Sequence, residues 1–214
     1  MISSVDMLNE LVERDRPDDH ERLLRDEIHP TVLAAFASLS RDARWWLVRN
    51  KRTGRALFDM WVCDPDAEIR GWMANRRAVT LEYLKILARD SDVGVRWQVA
   101  YHEKLDEETR WRLARDEAPE VRSAVAASGR AGEELLVELS RDPVDYVREE
   151  VLSPSNVKVP VDVLRRLASD SDKRVRRAVV ERAEVDMELL RLLAADSSAD
   201  VAEAARARMA RMAR

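Results

Sequence analysis

Three histidines, one cysteine and 41 carboxylates are the groups in this chain able to do acid–base, nucleophilic or metal chemistry. Their spacing points away from all three. His20 lies among carboxylates in DDHERLLRDEIHP, but the segment matches no metal-ligand spacing. Asp18, Asp19 and Glu21 there are explained by the positive end of a helix dipole. His29 and His102 stand apart. A single cysteine, Cys63, excludes an intrachain disulfide and any multi-cysteine zinc or iron–sulfur site. It lies in an apolar stretch and reads as an inert, buried thiol. No glycine-rich phosphate loop, G-x-S-x-G, H-E-x-x-H or paired C-x-x-C occurs. The expectation is therefore no catalytic residue, no metal and no cofactor.

Binding chemistry is better represented. Trp45 and Trp97 each follow directly after an arginine that recurs every 26 residues, and Trp46 and Trp72 come one position later. Later segments put Ser123, Glu149 and Arg177 in the Trp45/Trp97 column, so that column reads as solvent-facing. An exposed tryptophan strip would be a recognition surface. Packing between neighbouring segments is the weightier reading for Trp46 and Trp72. Trp61 falls in a leucine column and reads as core. A second series is cationic: Lys51, Arg52, Arg76, Arg77, Lys104 and Arg130, continued by Lys158 and Arg182. Such residues can complement the negative ends of helix dipoles or form a phosphate track beside the aromatic strip. The net charge of -4 argues against strong nonspecific nucleic-acid binding.

The elements that position these residues are repeats. The pairs Ala43-Arg44, Ile69-Arg70, Val95-Arg96, Val121-Arg122, Val147-Arg148, Val175-Arg176 and Val201-Ala202 step by 26, 26, 26, 26, 28 and 26. Asp64, Asp90, Asp116, Asp142, Asp170 and Asp196 lie six residues before the arginine position, and Trp61, Leu87, Leu113, Leu139, Leu167 and Leu193 three before those acids. Each unit reads as two short helices, such as 80–90 and 93–102. Asp66, Asp92, Asp172 and Ser198 fall at N-cap positions. Helices this short need stacking to persist. Two irregularities stand out. Arg110 occupies a column otherwise filled by Phe36, Phe58, Leu84, Leu136, Leu164 and Leu190, where a small helix rotation would give Trp111 the core position. The 28-residue step lengthens the connection 153–163.

The pattern L-A-x-D-x-D-x-x-V-R over about residues 30–205 resembles HEAT-like repeats. Asn50, Asn75 and Asn156 after the second helices resemble, more specifically, leucine-rich-repeat variants. The resemblance implies an all-α, right-handed α-solenoid of about seven two-helix repeats of ~26 residues, with N- and C-terminal caps. It also implies an inter-repeat ladder made by Arg70, Arg96, Arg122, Arg148 and Arg176 with the acids before them. Some repeat variants carry a cysteine-ligated iron–sulfur cluster ahead of the repeats, but residues 1–40 contain no cysteine.

Residues 1–29 are expected to form an N-terminal helical cap, with Val5, Leu8, Leu11 and Val12 on one stripe. Residues 30–214 are expected to form one continuous repeat domain ending in a capping helix. A composition of 46% hydrophobic and 36% charged residues suits a soluble chain with a core. No run approaches the roughly 20 apolar residues of a membrane span, and MISSVDMLNELVERDRPDD lacks a secretory signal pattern. The cytoplasm is the expected compartment, and the oligomeric state is left open. The expected function is a non-enzymatic scaffold binding a protein or peptide along the second helices, with Trp45, Trp46, Trp72 and Trp97 as anchors. The alternative is a nucleic-acid-binding protein. It extends to a base-repair enzyme similar to the alkylpurine DNA glycosylases, for which Asp42 and Asp59 are the acids nearest the strip in sequence.

Overall fold

A computed structural model describes residues 1–53 and 55–213. Among these residues every regular element is helical, apart from one isolated bridge between Ile2 and Ile28. The chain forms two compact units, Met1–Lys104 and Leu105–Arg214. The first contains α1 (Val5–Arg14), α2 (Pro17–Arg25), α3 (Pro30–Ala34), α4 (Arg41–Arg49), α5 (Phe58–Trp61), α6 (Ala67–Ala74), α7 (Leu81–Leu87) and α8 (Val93–Ala100). Two 3₁₀ turns, Phe36–Ser38 and Arg55–Leu57, extend its shortest helices. The second contains α9 (Glu107–Ala114), α10 (Pro119–Ala127), α11 (Glu133–Leu139), α12 (Asp145–Glu150), α13 (Val161–Leu167), α14 (Lys173–Glu181), α15 (Met187–Leu193) and α16 (Ala199–Met212).

Each unit is a stack of two-helix repeats. In the first, α4 packs on α6 and α6 on α8; in the second, α10 packs on α12, α12 on α14 and α14 on α16. The leucine column fills the seams: Trp61, Leu87, Leu113, Leu139, Leu167 and Leu193 are all at most 1% exposed. The apolar residue before each arginine is equally buried, from Ile69 to Val175, as is Val201 before Ala202. A seven-residue helix such as α7 has too few internal hydrogen bonds to persist alone. Burial of Leu84 and Leu87 supplies what it lacks. The side chains of Asp66, Asp92 and Asp172 accept N–H groups of the first turn, as N-caps do. Ser198 stands at the N-cap of α16, but its side chain makes no capping bond. The Asp196 carboxylate takes the Ser198 N–H instead.

Arginine–carboxylate pairs tie repeat to repeat. Arg44 pairs with Asp64, and Arg70 with Asp90, in the first unit. Arg122 pairs with Asp142, Arg148 with Asp170 and Arg176 with Asp196 in the second. Most are two-pronged: Arg122 Nε and Nη2 donate to the two Asp142 oxygens at 2.6 and 2.9 Å. The aspartate side chains are only 1–8% exposed. From Arg70 on, the third donor, Nη1, reaches the main-chain carbonyl of the acid six residues back, as Arg122 does to Asp116 at 2.8 Å; in Arg44 it reaches the Leu39 carbonyl. The acid before each arginine therefore contributes a carbonyl, and the carboxylate partner belongs to the following repeat. This corrects the pairing expected from sequence. The physical reason is a local turn: each acid's Oδ1 also accepts the N–H two residues on, as Asp142 does from Val144. That turn aims the carboxylate at the preceding arginine. The longer 28-residue step leaves the Arg148–Asp170 pair intact, because its extra residues lie in the connection between α12 and α13.

A second set of contacts closes the other ends of the helices. Asn50 donates to the carbonyls of Leu23, in the last turn of α2, and Asp26, just after it. Arg76 donates to Val48, Asn50 and Thr53 past α4. Asn156 caps Ala126, Arg182 caps Ser153 and Asn156, and Arg208 reaches Val180. These carbonyls have no partner within their own helices, so each repeat satisfies the one before it. Asn75, by contrast, is exposed and bonds Gly71 and Gln98. Glycine is required at Gly129, whose φ is +69° and whose Cβ would lie 2.5 Å from the Ser155 carbonyl oxygen.

Two sequence expectations are corrected. Arg110 is itself buried, at 8% exposure, and Trp111 is the half-buried neighbour. No rotation rescues the column, because Arg110 Nη2 finds the Leu105 carbonyl at 3.0 Å. Cys63 is exposed, not buried, since it follows the last turn of α5.

Replacing Arg122 by alanine leaves Asp142 buried without its counter-charge. The expected loss is about 3–5 kcal/mol, or roughly 6–20 °C in Tm. Exposed Glu203→Ala should stay within about 0.5 kcal/mol. An unchanged melting temperature for Arg122→Ala would contradict the ladder. Acid should act through the same pairs. Burial opposes the charge on Asp90 and Asp170, yet Arg70 and Arg148 hold their carboxyls below the usual range. For Asp196 the bond from Arg176 is the main cause of the same shift. A depressed carboxyl stabilises the fold above its unfolded pKa, near 3.9, and that contribution is lost as pH falls through the folded value. The urea midpoint should therefore hold steady down to about pH 5 and fall below about pH 4. Asp170→Asn, weaker at neutral pH, should lose less on acidification.

Candidate functional site

The first unit exposes one side of its second helices. In α4, RDARWWLVR, the residues Ala43, Leu47 and Val48 face the core. That phase leaves Trp45, Trp46 and Arg49 half-buried on the outer side. Trp45 and Arg49 are one turn apart, and the guanidinium sits 4.2 Å above the Trp45 ring centroid. The same guanidinium is 4.6 Å from the Trp72 ring, which belongs to α6. Arg49 thus joins the aromatic groups of two successive repeats. Trp46 meets Trp45 edge-on at 4.9 Å and packs on His20 of α2 at the same distance. His20 Nε2 in turn lies 2.6 Å from Asp15 Oδ1.

Two depressions flank Arg49. One, of about 810 Å³, includes Asp15, His20, Arg41, Asp42, Trp45 and Glu68 in its lining. Its charges are largely paired off. Arg41 donates to Asp66 and Glu68 at 2.5 Å each, and Trp45 Nε1 donates to Glu68 at 2.7 Å. The bond from Trp45 is the leading cause that holds the Glu68 carboxyl below its ordinary value. The other depression, of about 700 Å³, is lined by Arg49, Lys51, Trp72, Arg76 and Arg77 with Leu24, Val48, Asn75 and Ala78. It holds four cations and no carboxylate.

Trp72 and Trp97 are 37% and 43% exposed. The second figure agrees with the solvent-facing column; the first departs from the packing reading. Trp45, expected in the open column, is half-buried because Arg49 covers its face and Glu68 holds its N–H. Trp46 is half-buried, as packing implies. Trp97 packs edge-on against Tyr101 at 5.1 Å, with Tyr101 also 41% exposed. Between the Trp45 and Trp97 positions the column holds Gly71, whose Cβ would stand 2.6 Å from Gln98 Nε2. Glycine there lets the Gln98 amide lie across α6 and bond Asn75 at 2.5 Å.

The cationic series divides. Lys51, Arg52 and Arg77 are exposed, with no carboxylate partner among the described residues. Arg76 is turned inward onto three carbonyls and over the Trp61 ring. Lys104 is spent on the carbonyls of Arg77 and Val79. Of the two readings open from sequence, Arg76 and Lys104 follow the helix-end one, which interrupts any phosphate track. Arg130 lies in the second unit, where it donates to Ser128 and lines a separate depression with Arg110 and Trp111. Of the two acids nearest the strip in sequence, Asp42 lines the mixed-charge depression. Asp59 accepts the Tyr83 hydroxyl at 2.7 Å. Arg49 and Tyr101 were missed by sequence reasoning. Their signal is the four-residue spacing from Trp45 and Trp97.

No family model matches the chain, and no curated protein matches it. Among solved structures, the chain is similar to one described as a leucine-rich repeat variant with a novel repetitive protein structural motif. The two share 27% identity over 77% of this chain and 86% of that one, with a TM-score of 0.43.

Proposed function

We propose that this protein is a non-enzymatic repeat scaffold that binds an extended protein segment along α4, α6 and α8. One observation carries the reading: exposed Trp72 stands at the rim of a depression lined by four cations and no carboxylate. Trp97 and Tyr101 lie further along the same set of second helices. Aromatic rings give large contact area at low entropic cost, and Trp is enriched at binding hot spots. Uncompensated cations beside them select acidic side chains. The favoured partner is a peptide carrying apolar side chains interspersed with acids. Trp72 and Trp97 act as anchors, while Trp45 and Trp46 support Arg49 from beneath. Lys51, Arg52 and Arg77 supply the charge. Arg76 contributes a fixed charge, with three of its donors spent on carbonyls.

The same rings and cations would also suit a nucleic-acid strand, with bases stacked on Trp72 and phosphates on Lys51 and Arg77. Salt separates the two. Titration of tryptophan fluorescence with short peptides of leucine and glutamate should give saturable binding that weakens only modestly with salt. Trp72→Ala and Trp97→Ala should each weaken it about tenfold or more. Binding of oligonucleotides alone, falling steeply with salt as counterions are released, would replace the peptide reading. No binding by either probe would remove both.

A further inference from the structure

The geometry points to the depression of Arg49, Lys51, Arg76 and Arg77 as a pocket for a phosphate monoester, the phosphorylated side chain of a peptide partner. The inference rests on the peptide-binding reading and gives that partner its chemistry. Many arginines of this chain face acids, in the ladder or in surface pairs such as Arg41 with Glu68 and Arg174 with Asp145. The cations of this depression do not. None of the four forms an ion pair among the described residues, although acidic residues outnumber basic ones, 41 to 37.

Three features make the charge usable. The Arg49 guanidinium carbon lies 4.2 Å from the Trp45 ring centroid and 4.6 Å from that of Trp72. These contacts hold its charge beside the depression, and a guanidinium carries its N–H donors in one plane. Arg76 is locked by its three carbonyl bonds, and burial alone pushes its pKa down. Its charge therefore sits fixed and unneutralised. Lys51 and Arg77 are exposed and free to close on a ligand. Leu24, Val48 and Ala78 give the depression an apolar lining, which reduces screening by water. About 700 Å³ is ample for a phosphorylated side chain.

The charge count favours a dianion. A carboxylate brings one negative charge to four cations, whereas a phosphate monoester brings about −1.5 to −2 with three acceptor oxygens. A phosphodiester brings one and does not titrate near neutrality. The monoester gains its second charge around pH 6, so the binding itself should report it. The charged groups lining the pocket are arginine and lysine, residue types whose ordinary pKa values lie well above this range. His20 lines the neighbouring depression, which shares Arg49 and Leu24 with this one, and the acids there are Asp15, Asp42 and Glu68.

The test uses two fluorescein-labelled peptides of leucine and glutamate that differ only in a central phosphoserine or glutamate, followed by anisotropy. The phosphopeptide should bind about tenfold more tightly at about pH 7.5, and its advantage should shrink to about twofold at about pH 5. Lys51→Gln and Arg77→Gln, both exposed and remote from the core, should abolish the advantage while circular dichroism stays unchanged. His20→Gln should keep the pH profile. Equal affinity for both peptides would overturn the phosphate pocket and leave the peptide scaffold standing. Failure of both peptides to bind would overturn both. An advantage that is the same at the two pH values would also overturn it, pointing to simple charge attraction.

Discussion

A guanidinium shared between a carboxylate ahead and a carbonyl behind is the contact on which the rest of this structure depends. Each helix is too short to be stable alone, and apolar packing by itself would let neighbouring repeats slide. The arginine removes that freedom. Two of its nitrogens engage the aspartate of the next repeat, and the third binds the carbonyl six residues back in its own. The aspartate, mostly buried, also closes the turn that starts the following helix. One side chain thus sets the turn and the register between repeats together. Geometry of this kind satisfies nearly every donor and acceptor, which is the condition under which a buried ion pair is tolerated.

The opposite ends of the helices are treated in the same spirit with different residues. Asn50, Arg76, Asn156, Arg182 and Arg208 lie at equivalent places and turn their donors onto the preceding repeat's last carbonyls. Arginine therefore serves several ends among the described residues. Some are locked into the ladder, some into helix ends, and a small group in the first unit is left facing outward with Trp72. That last group is what the binding proposal rests upon, because its cations gather with Trp72 around one depression that holds no carboxylate.

Much of this was legible in the sequence, and the limits have physical causes. The 26-residue columns announced helix pairs, since burial on a repeated stack forces the same apolar residues back at the same interval. Asp90 and Arg70 were recognisable as ladder members, but not as partners of each other. Sequence spacing favours a neighbour six residues away, while the turn at the aspartate aims its carboxylate one repeat back. For Arg76 the sequence left two readings open, a helix-end cation or part of a phosphate track. Only the position of the Val48 and Asn50 carbonyls reveals that it is turned inward. Trp72 shows the converse error, because a tryptophan two positions after the column arginine is exposed or packed according to what its neighbours leave open, here Arg49 on one side only. Arg110 sits in a column of leucines and stays buried by using the Leu105 carbonyl, an option that apolar periodicity does not display.

The most direct test of the ladder is a double-mutant cycle on Arg148 and Asp170, the pair that spans the lengthened connection. Unfolding free energies would be measured for the wild type, Arg148→Ala, Asp170→Ala and the double variant. If the pair fixes register, the two residues should be coupled by more than about 1.5 kcal/mol, with the double variant far less damaged than the sum of the singles. Additive effects, with coupling near zero, would mean that packing alone aligns the repeats and that the arginine–aspartate contact is incidental.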